Sequence, residues 1–221
     1  MSRLRIAIDG PSGSGKSTLG RALAQRLGLP YVDTGAMYRA VGWAVAEAGL
    51  DDAEQIVAYV QGLELDVEPD PAGFQVRVNG VDVTDRLRHP DIGRMAAKVA
   101  AIKGVRDWMV PRQQAVARAG GVLEGRDIGT VVLPDADCKF YVTSDELTRM
   151  ARRAEQLGLE EGGAEVVGDV RDRDRADSSR KHSPLRPAAD AVHIDTSAQS
   201  VDESLAVMLE EIARRGQRRR R

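Results

Sequence analysis

The chain has 221 residues, with 32 lysines and arginines against 34 acidic residues and a formal net charge of -2. That balance carries no global signature of a nucleic-acid or membrane partner. The single cysteine, Cys138, excludes an intrachain disulfide and a cysteine-rich zinc site, and no apolar run approaches membrane-spanning length. The length suits one sizeable α/β core with a smaller inserted lobe, and the expectation is a soluble cytoplasmic protein.

The first element is the short apolar run LRIAI at residues 4–8, read as a buried parallel strand. It leads into GPSGSGKST at residues 10–18, which fits G-x-x-x-x-G-K-[ST]. Leu19, Leu23 and Leu27 then recur at helical spacing until Gly28 and Pro30 stop the segment. A strand, a glycine-rich turn and a helix in that order form a phosphate-binding loop, here Gly10, Pro11, Ser12, Gly13, Ser14, Gly15, Lys16, Ser17 and Thr18. Glycines let successive backbone N–H groups turn toward an anion, and the helix N-terminus faces the same point. Lys16 would reach the outer phosphates, and Ser17 would offer its hydroxyl to Mg²⁺.

Residues 30–33 read as a second strand, and Thr34 and Gly35 open a helix carrying Met37, Tyr38, Val41 and Val45. This alternation predicts a parallel sheet flanked by helices, with ligands outside the carboxyl ends of the strands. Asp33, at such an end, is a candidate either for positioning a Mg²⁺-bound water or for capping the next helix. Residues 63–87 break the pattern: Phe74, Val76 and Val78 alternate with polar residues, Asn79 and Gly80 give a hairpin signal, and Val81 and Val83 alternate again. A small antiparallel lobe inserted into the core is predicted there, followed by helices over residues 91–101 and 105–119. Residues 121–124 and 138–142 read as further core strands, the first followed at once by Gly125, Arg126 and Asp127. Thr143 and Glu146 form a capping box for a helix with Leu147, Met150, Ala151 and Ala154 on one face. About a dozen residues between Leu157 and Arg171, rich in Gly and Glu, read as a short lid. A last strand is expected at residues 191–194, and a final helix carries Val201, Leu205, Met208 and Ile212 until Gly216 ends it. The arginine run at residues 218–221 reads as a solvated, disordered end.

Arginines gather on the side of the sheet where the loop lies. Arg39 follows the second strand, Arg126 a later one, Arg149, Arg152 and Arg153 share a helix end, and Arg173 and Arg180 flank another segment. Guanidinium forks meet phosphate oxygens bidentately, so arginines from separate elements point to two phosphate-bearing ligands and a small-molecule kinase. A GTP switch would need a guanine-reading Asn-Lys-x-Asp segment, but the chain's one asparagine is Asn79 in the hairpin. An ATP-dependent switch or assembly module stays open on this test.

Four blocks in order, IDGPSGSGKST from Ile8, VDTGAMYR from Val32, EGRDIGTVVLPDAD from Glu124 and RDRADSSRKHSPL from Arg173, resemble bacterial cytidylate kinases over nearly the whole chain. The resemblance implies a monomeric P-loop NTPase core at about residues 1–36 and 105–221, a nucleoside-monophosphate-binding insertion at about 37–104 and a lid at about 149–171. It implies phosphoryl transfer from ATP, with Mg²⁺, to CMP and dCMP. UMP or another monophosphate is the alternative acceptor, and no stable nucleic-acid or membrane partner is implied. Carried over by motif, Arg39, Arg126 and Arg180 take the acceptor phosphate, and Arg106 and Asp127 the cytosine edge. Arg173 and Asp177 fall at the sugar, with Thr34 and Tyr38 as further substrate contacts. Lys16, Arg126, Asp127, Arg149, Arg153 and Arg180 make up the catalytic set. Ala97 stands where the family commonly has a serine that helps hold the base, which leaves Arg106 and Asp127 as its main readers. Cytosine presents an amino donor where uracil presents a carbonyl, so a carboxylate facing that position can discriminate by up to ~10⁴.

Overall fold

The apolar run at the start of the chain forms β1 (Arg5–Asp9), and its alternate residues serve two cores. Ile6 and Ile8 belong to one buried cluster and Ala7 to another, as expected of a strand covered on both faces. The structure is a computed structural model and describes residues 4–69, 74–158 and 164–218. In chain order β1 is followed by α1 (Lys16–Leu27), β2 (Tyr31–Asp33), α2 (Thr34–Glu47), α3 (Ala53–Gln61), β3 (Leu65–Pro69), β4 (Phe74–Val78) and β5 (Val81–Asp82). Then come α4 (Pro90–Ala101), α5 (Lys103–Val116), β6 (Gly121–Gly125), β7 (Cys138–Thr143), α6 (Glu146–Leu157), α7 (Ala164–Ser179), β8 (Val192–Asp195) and α8 (Val201–Arg218).

β1, β2, β6, β7 and β8 make a five-stranded sheet in the order β2-β6-β1-β7-β8, parallel throughout. On one face Ile6, Ile8, Tyr31, Val122 and Phe140 pack with Leu19 and Leu23 of α1 and Met208 of α8. On the other, Ala7, Val32 and Leu123 pack with Met37 and Val41 of α2 and Val105 and Met109 of α5. That second core runs on into the three-stranded antiparallel sheet β3-β4-β5 through Val76 and Val78, so the inserted lobe shares its apolar interior with the main sheet. The expected hairpin is present: Asn79 and Gly80 turn with φ of 50° and 76°, the positive angles a two-residue hairpin loop needs. Cys138 is buried in β7 as a strand residue.

Several expectations are corrected. The cap of α6 is Asp145, whose carboxylate accepts from the Thr148 amide at 2.9 Å, because Thr143 is still part of β7 and pairs in register with Asp195. Gly216 does not end the final helix, which runs through Arg218. The second strand of the hairpin stops at Asp82, and the expected alternation does not carry through it: Val81 is exposed and Val83, two residues on, is buried. α3 was not anticipated. The segment read as a short lid is helical from Ala164 onward, so Arg171 and Arg173 lie within α7; residues 159–163 fall outside the described residues, as do 219–221.

Candidate active site

The phosphate loop leaves β1 between β6 and β7, and the geometry allows no side chain at its first residue. A Cβ on Gly10 would stand 2.0 Å from the Val142 carbonyl oxygen. The Lys16 ammonium folds back to donate to the Pro11 carbonyl at 2.7 Å, and burial followed by the neighbouring Arg126 charge lowers its pKa to about 7. A bound polyphosphate would restore the charge by offering oxygens at the same point. Ser14 Oγ is buried without a hydrogen-bond partner. The α6 guanidiniums close over the loop: Arg149 donates to the Ser12 carbonyl at 3.3 Å and pairs with Asp174 of α7.

β6 delivers the next layer. Glu124 is buried, and one of its carboxylate oxygens accepts from Ser17 Oγ and Tyr31 OH, each at 2.6 Å. Its other oxygen is buried and unpartnered. Burial and then the nearby Asp33 charge hold its carboxyl above the ordinary range. A hydroxyl beside a carboxylate with a spare oxygen, at the foot of a phosphate loop, is the hard-oxygen donor set that suits Mg²⁺. The residues therefore fit the ion that the loop motif implies. Asp33 caps α2, accepting from the Ala36 amide at 2.8 Å, and pairs with Arg39 at 2.8 Å. Burial pushes its carboxyl up, but Arg39 and the amide hold it below the usual range.

Beyond Gly125 the chain turns out of the sheet and presents Arg126 and Asp127. The Asp127 carboxylate and the Arg106 guanidinium of α5 form an ion pair with side chains only 7% and 4% exposed, so neither charge is free to hydrate. Arg106 also lies over the Tyr38 ring, 5.6 Å from its centroid, and the Tyr38 hydroxyl is buried without a partner. Burial raises the Tyr38 pKa to about 12, so it stays a neutral donor. From α7, Asp177 accepts from Arg126 at 2.6 Å and pairs with Arg180. Burial opposes its ionisation, but the two guanidiniums hold it below the ordinary carboxylate range.

These groups share one cavity of about 340 Å³. Of the residues named from the sequence, Ser12, Gly13, Lys16, Ser17, Thr34, Tyr38, Arg39, Arg106, Arg126, Asp127, Arg153, Asp177 and Arg180 line it. Small α4 residues, Gly93, Ala96, Ala97 and Ala100, make its apolar wall. Thr34 directs its hydroxyl to the Glu124 carbonyl at 2.6 Å, so that proton is engaged within the protein. The side chain of Arg173 lies outside the described residues. Glu124 was missed by the sequence reading, though its signal was there: one carboxylate in an otherwise apolar strand, directly before Gly-Arg-Asp. A second cavity of about 240 Å³ opens on the other side of the loop, between Gly13, Gly15, Thr18 and Arg152 and the segment from Thr196 to Ser204. Arg152 donates to Thr196 Oγ1 at 2.9 Å there.

Comparison with known proteins agrees with this geometry. The profile of a family described as cytidylate kinase matches residues 6–214. A cytidylate kinase of Rhodococcus opacus (strain B4) is 45% identical over 215 residues, covering 94% of each chain. One from Syntrophotalea carbinolica is 43% identical over 221 residues, covering 97% of this chain and 94% of that one. The bifunctional pantoate ligase/cytidylate kinase of Synechococcus sp. (strain CC9311) is 46% identical over 220 residues, and there the match spans 95% of this chain but 44% of the relative. Among solved structures, an uncharacterized protein from Eubacterium ventriosum superposes with a TM-score of 0.52 at 14% identity, covering 96% of this chain and 99% of that one, which speaks to fold alone.

Proposed function

The chain belongs to the cytidylate kinase family, and from that premise we infer that it transfers the γ-phosphoryl group of ATP to CMP and dCMP, giving ADP and CDP or dCDP. The observation that carries this reading is the convergence on one cavity of Lys16 and Ser17 with Arg39, Arg126 and Arg180 and the buried pair of Arg106 with Asp127.

In this reading the donor phosphates lie on residues 10–18, and the donor nucleoside occupies the second cavity beside Thr18, Arg152 and Thr196. The acceptor phosphate sits against Arg39, Arg126 and Arg180. Its cytosine edge meets Asp127, which accepts from the amino group, and Arg106, which donates to the ring acceptors. Arg173 and Asp177 serve the sugar, with Thr34 and Tyr38 at the margin of the site. Ser17, with Glu124 behind it, would hold Mg²⁺, which when bound neutralises charge on the phosphate oxygens. Phosphoryl transfer needs no covalent nucleophile; it needs two anions in line and positive charge over the transferred group. Lys16, Arg126, Arg149, Arg153 and Arg180 supply that charge from four segments of the chain. Closure of α6 and α7, the lid of the assigned range 149–171 and its helical continuation, would exclude the water that competes as acceptor. We place the acceptor lobe at about residues 37–104, on the evenly balanced net charge assign no nucleic-acid partner, and expect a cytoplasmic monomer. No described helix is long and apolar enough to cross a membrane.

The test is initial ADP formation from MgATP with CMP, dCMP, UMP, AMP and GMP in turn, with chromatographic identification of the diphosphate. CMP-dependent CDP formation is expected. Equal rates with every acceptor, or hydrolysis independent of any, would overturn the assignment.

A further inference from the structure

Asp9 ends β1, one residue before the phosphate loop, and its side chain does not face the loop. It is 3% exposed, and its two carboxylate oxygens each accept one backbone amide: Ile128 N–H at 2.7 Å and Gly129 N–H at 2.7 Å. These amides belong to the first two residues of a π-helical turn, Ile128–Val132, where no partner within the turn is available to them. They also follow immediately after Asp127. The peptide unit that joins Asp127 to Ile128 is held from its carbonyl edge as well, since the Asp127 carbonyl accepts from the Val131 and Val132 amides at 2.9 and 3.2 Å. In the sheet Asp9 stands in register with Gly125, so the corner that carries Arg126 and Asp127 is fixed to β1 at its start and at its end.

Resting on the acceptor-site reading given above, we propose that Asp9 is a positioning residue for base selection. By clamping two successive amides it sets where the Asp127 carboxylate stands relative to the phosphate loop. The chemistry is specific to a carboxylate, because two amides need two acceptors. An asparagine accepts from one and turns an N–H₂ toward the other. Gly129 belongs to the same device: a Cβ there would come 3.3 Å from Asp9 Oδ2 and 3.2 Å from Lys139 Cδ, tighter than ordinary van der Waals contact with the clamp. A buried carboxylate kept only for stability would lower activity with every acceptor alike. A positioning carboxylate changes which base is preferred.

The experiment compares wild type, Asp9→Asn and Gly129→Ala. It reads kcat/KM for CMP and for UMP, the KM for ATP, and the affinity for CMP alone by calorimetry. A displaced reader is expected to weaken CMP and to lower the CMP-to-UMP ratio, each by about tenfold, with the KM for ATP within about twofold of wild type. Both variants should show this, and Gly129→Ala decides the matter if Asp9→Asn does not fold. An unchanged ratio in a folded variant, or a KM for ATP that rises in parallel with that for CMP, would overturn the proposal. A wild type with no preference for CMP would overturn the acceptor-site reading itself, and the role of Asp9 with it, before any variant is made.

Discussion

Gly42 lies inside α2, where exchanging glycine for alanine would ordinarily stabilise the helix by about 1 kcal/mol. Here the opposite is expected. A Cβ on Gly42 would stand 2.9 Å from the Ala96 amide nitrogen and 3.1 Å from the Met95 carbonyl carbon of α4. Both obstacles are backbone, so no side-chain rotation relieves them, and α4 must move outward by several tenths of an ångström. Overpacking of this kind costs about 3 kcal/mol at the upper end of its usual range, which leaves a net loss of about 2 kcal/mol after the helix-propensity gain. For a domain of this size that is a fall in Tm of about 4 to 8 °C. Because Gly93, Ala96, Ala97 and Ala100 of α4 wall the acceptor cavity, the KM for CMP should rise several-fold in Gly42→Ala while that for ATP stays put. Thermal unfolding and steady-state kinetics on the one variant read both effects. A Tm that rises by a few degrees, with CMP kinetics unchanged, would refute the close helix approach and the argument built on it.

Other substitutions probe the site directly. Lys16→Ala should lower kcat by about 10² to 10³, the usual loss when one preorganised donor to a charged transition state is removed; a variant retaining full transfer activity would take the loop out of the mechanism. Asp127→Asn keeps an acceptor for Arg106 but presents an N–H₂ where the carboxylate stood, so the preference for CMP over UMP should collapse or invert, and a preserved preference in competition assays would count against Asp127 as reader. Burial, opposed by its two amide bonds, raises the Asp9 pKa from 3.8 to about 6, with Asp127 pushing it up and Lys16 down; Tyr141 and Lys139 are further titratable neighbours. Folded Asp9 thus keeps its proton between about pH 4 and 6 while the unfolded chain has lost it, so its contribution is full below about pH 4 and is lost as pH rises through about 6. The stability difference between wild type and Asp9→Asn should accordingly shrink by about 3 kcal/mol from pH 4 to pH 7. Urea unfolding at a series of pH values measures it, and a flat difference would contradict the shift.

What could be read from sequence was what is local. The phosphate loop, the hairpin at Asn79 and Gly80, and the apolar strands all carry their signals within a few residues. The position of Arg126 and Asp127 at a strand end was legible because they directly follow a strand that could itself be read. α3 was overlooked although its signal is local too: Ala53, Ile56, Val57 and Val60 recur at helical spacing directly behind the capping Asp52. The cap of α6 was misread for a tertiary reason: Thr143 looks like a capping residue until β8 claims it for the sheet. The partners of Glu124 and Asp9, by contrast, depended on topology. Ser17 reaches Glu124 across 107 positions and Asp9 reaches Ile128 across 119, pairings that exist only because β6 is inserted between β1 and β2 in the sheet. Spacing along the chain holds no trace of them.

Asp177 stands between Arg126 and Arg180, and Asp33 beside Arg39. These carboxylates belong to the same chain as the guanidiniums they meet, so they act as resident competitors at an effective concentration on the order of millimolar or above. An incoming anion has to outbid a tethered one. Orthophosphate brings charge alone to that contest and gains little by exchanging one partner for another. In the proposed acceptor site a nucleotide would bring a base and a sugar whose contacts offset the displaced ion pairs, and the arrangement would screen out anions that carry nothing else to be recognised.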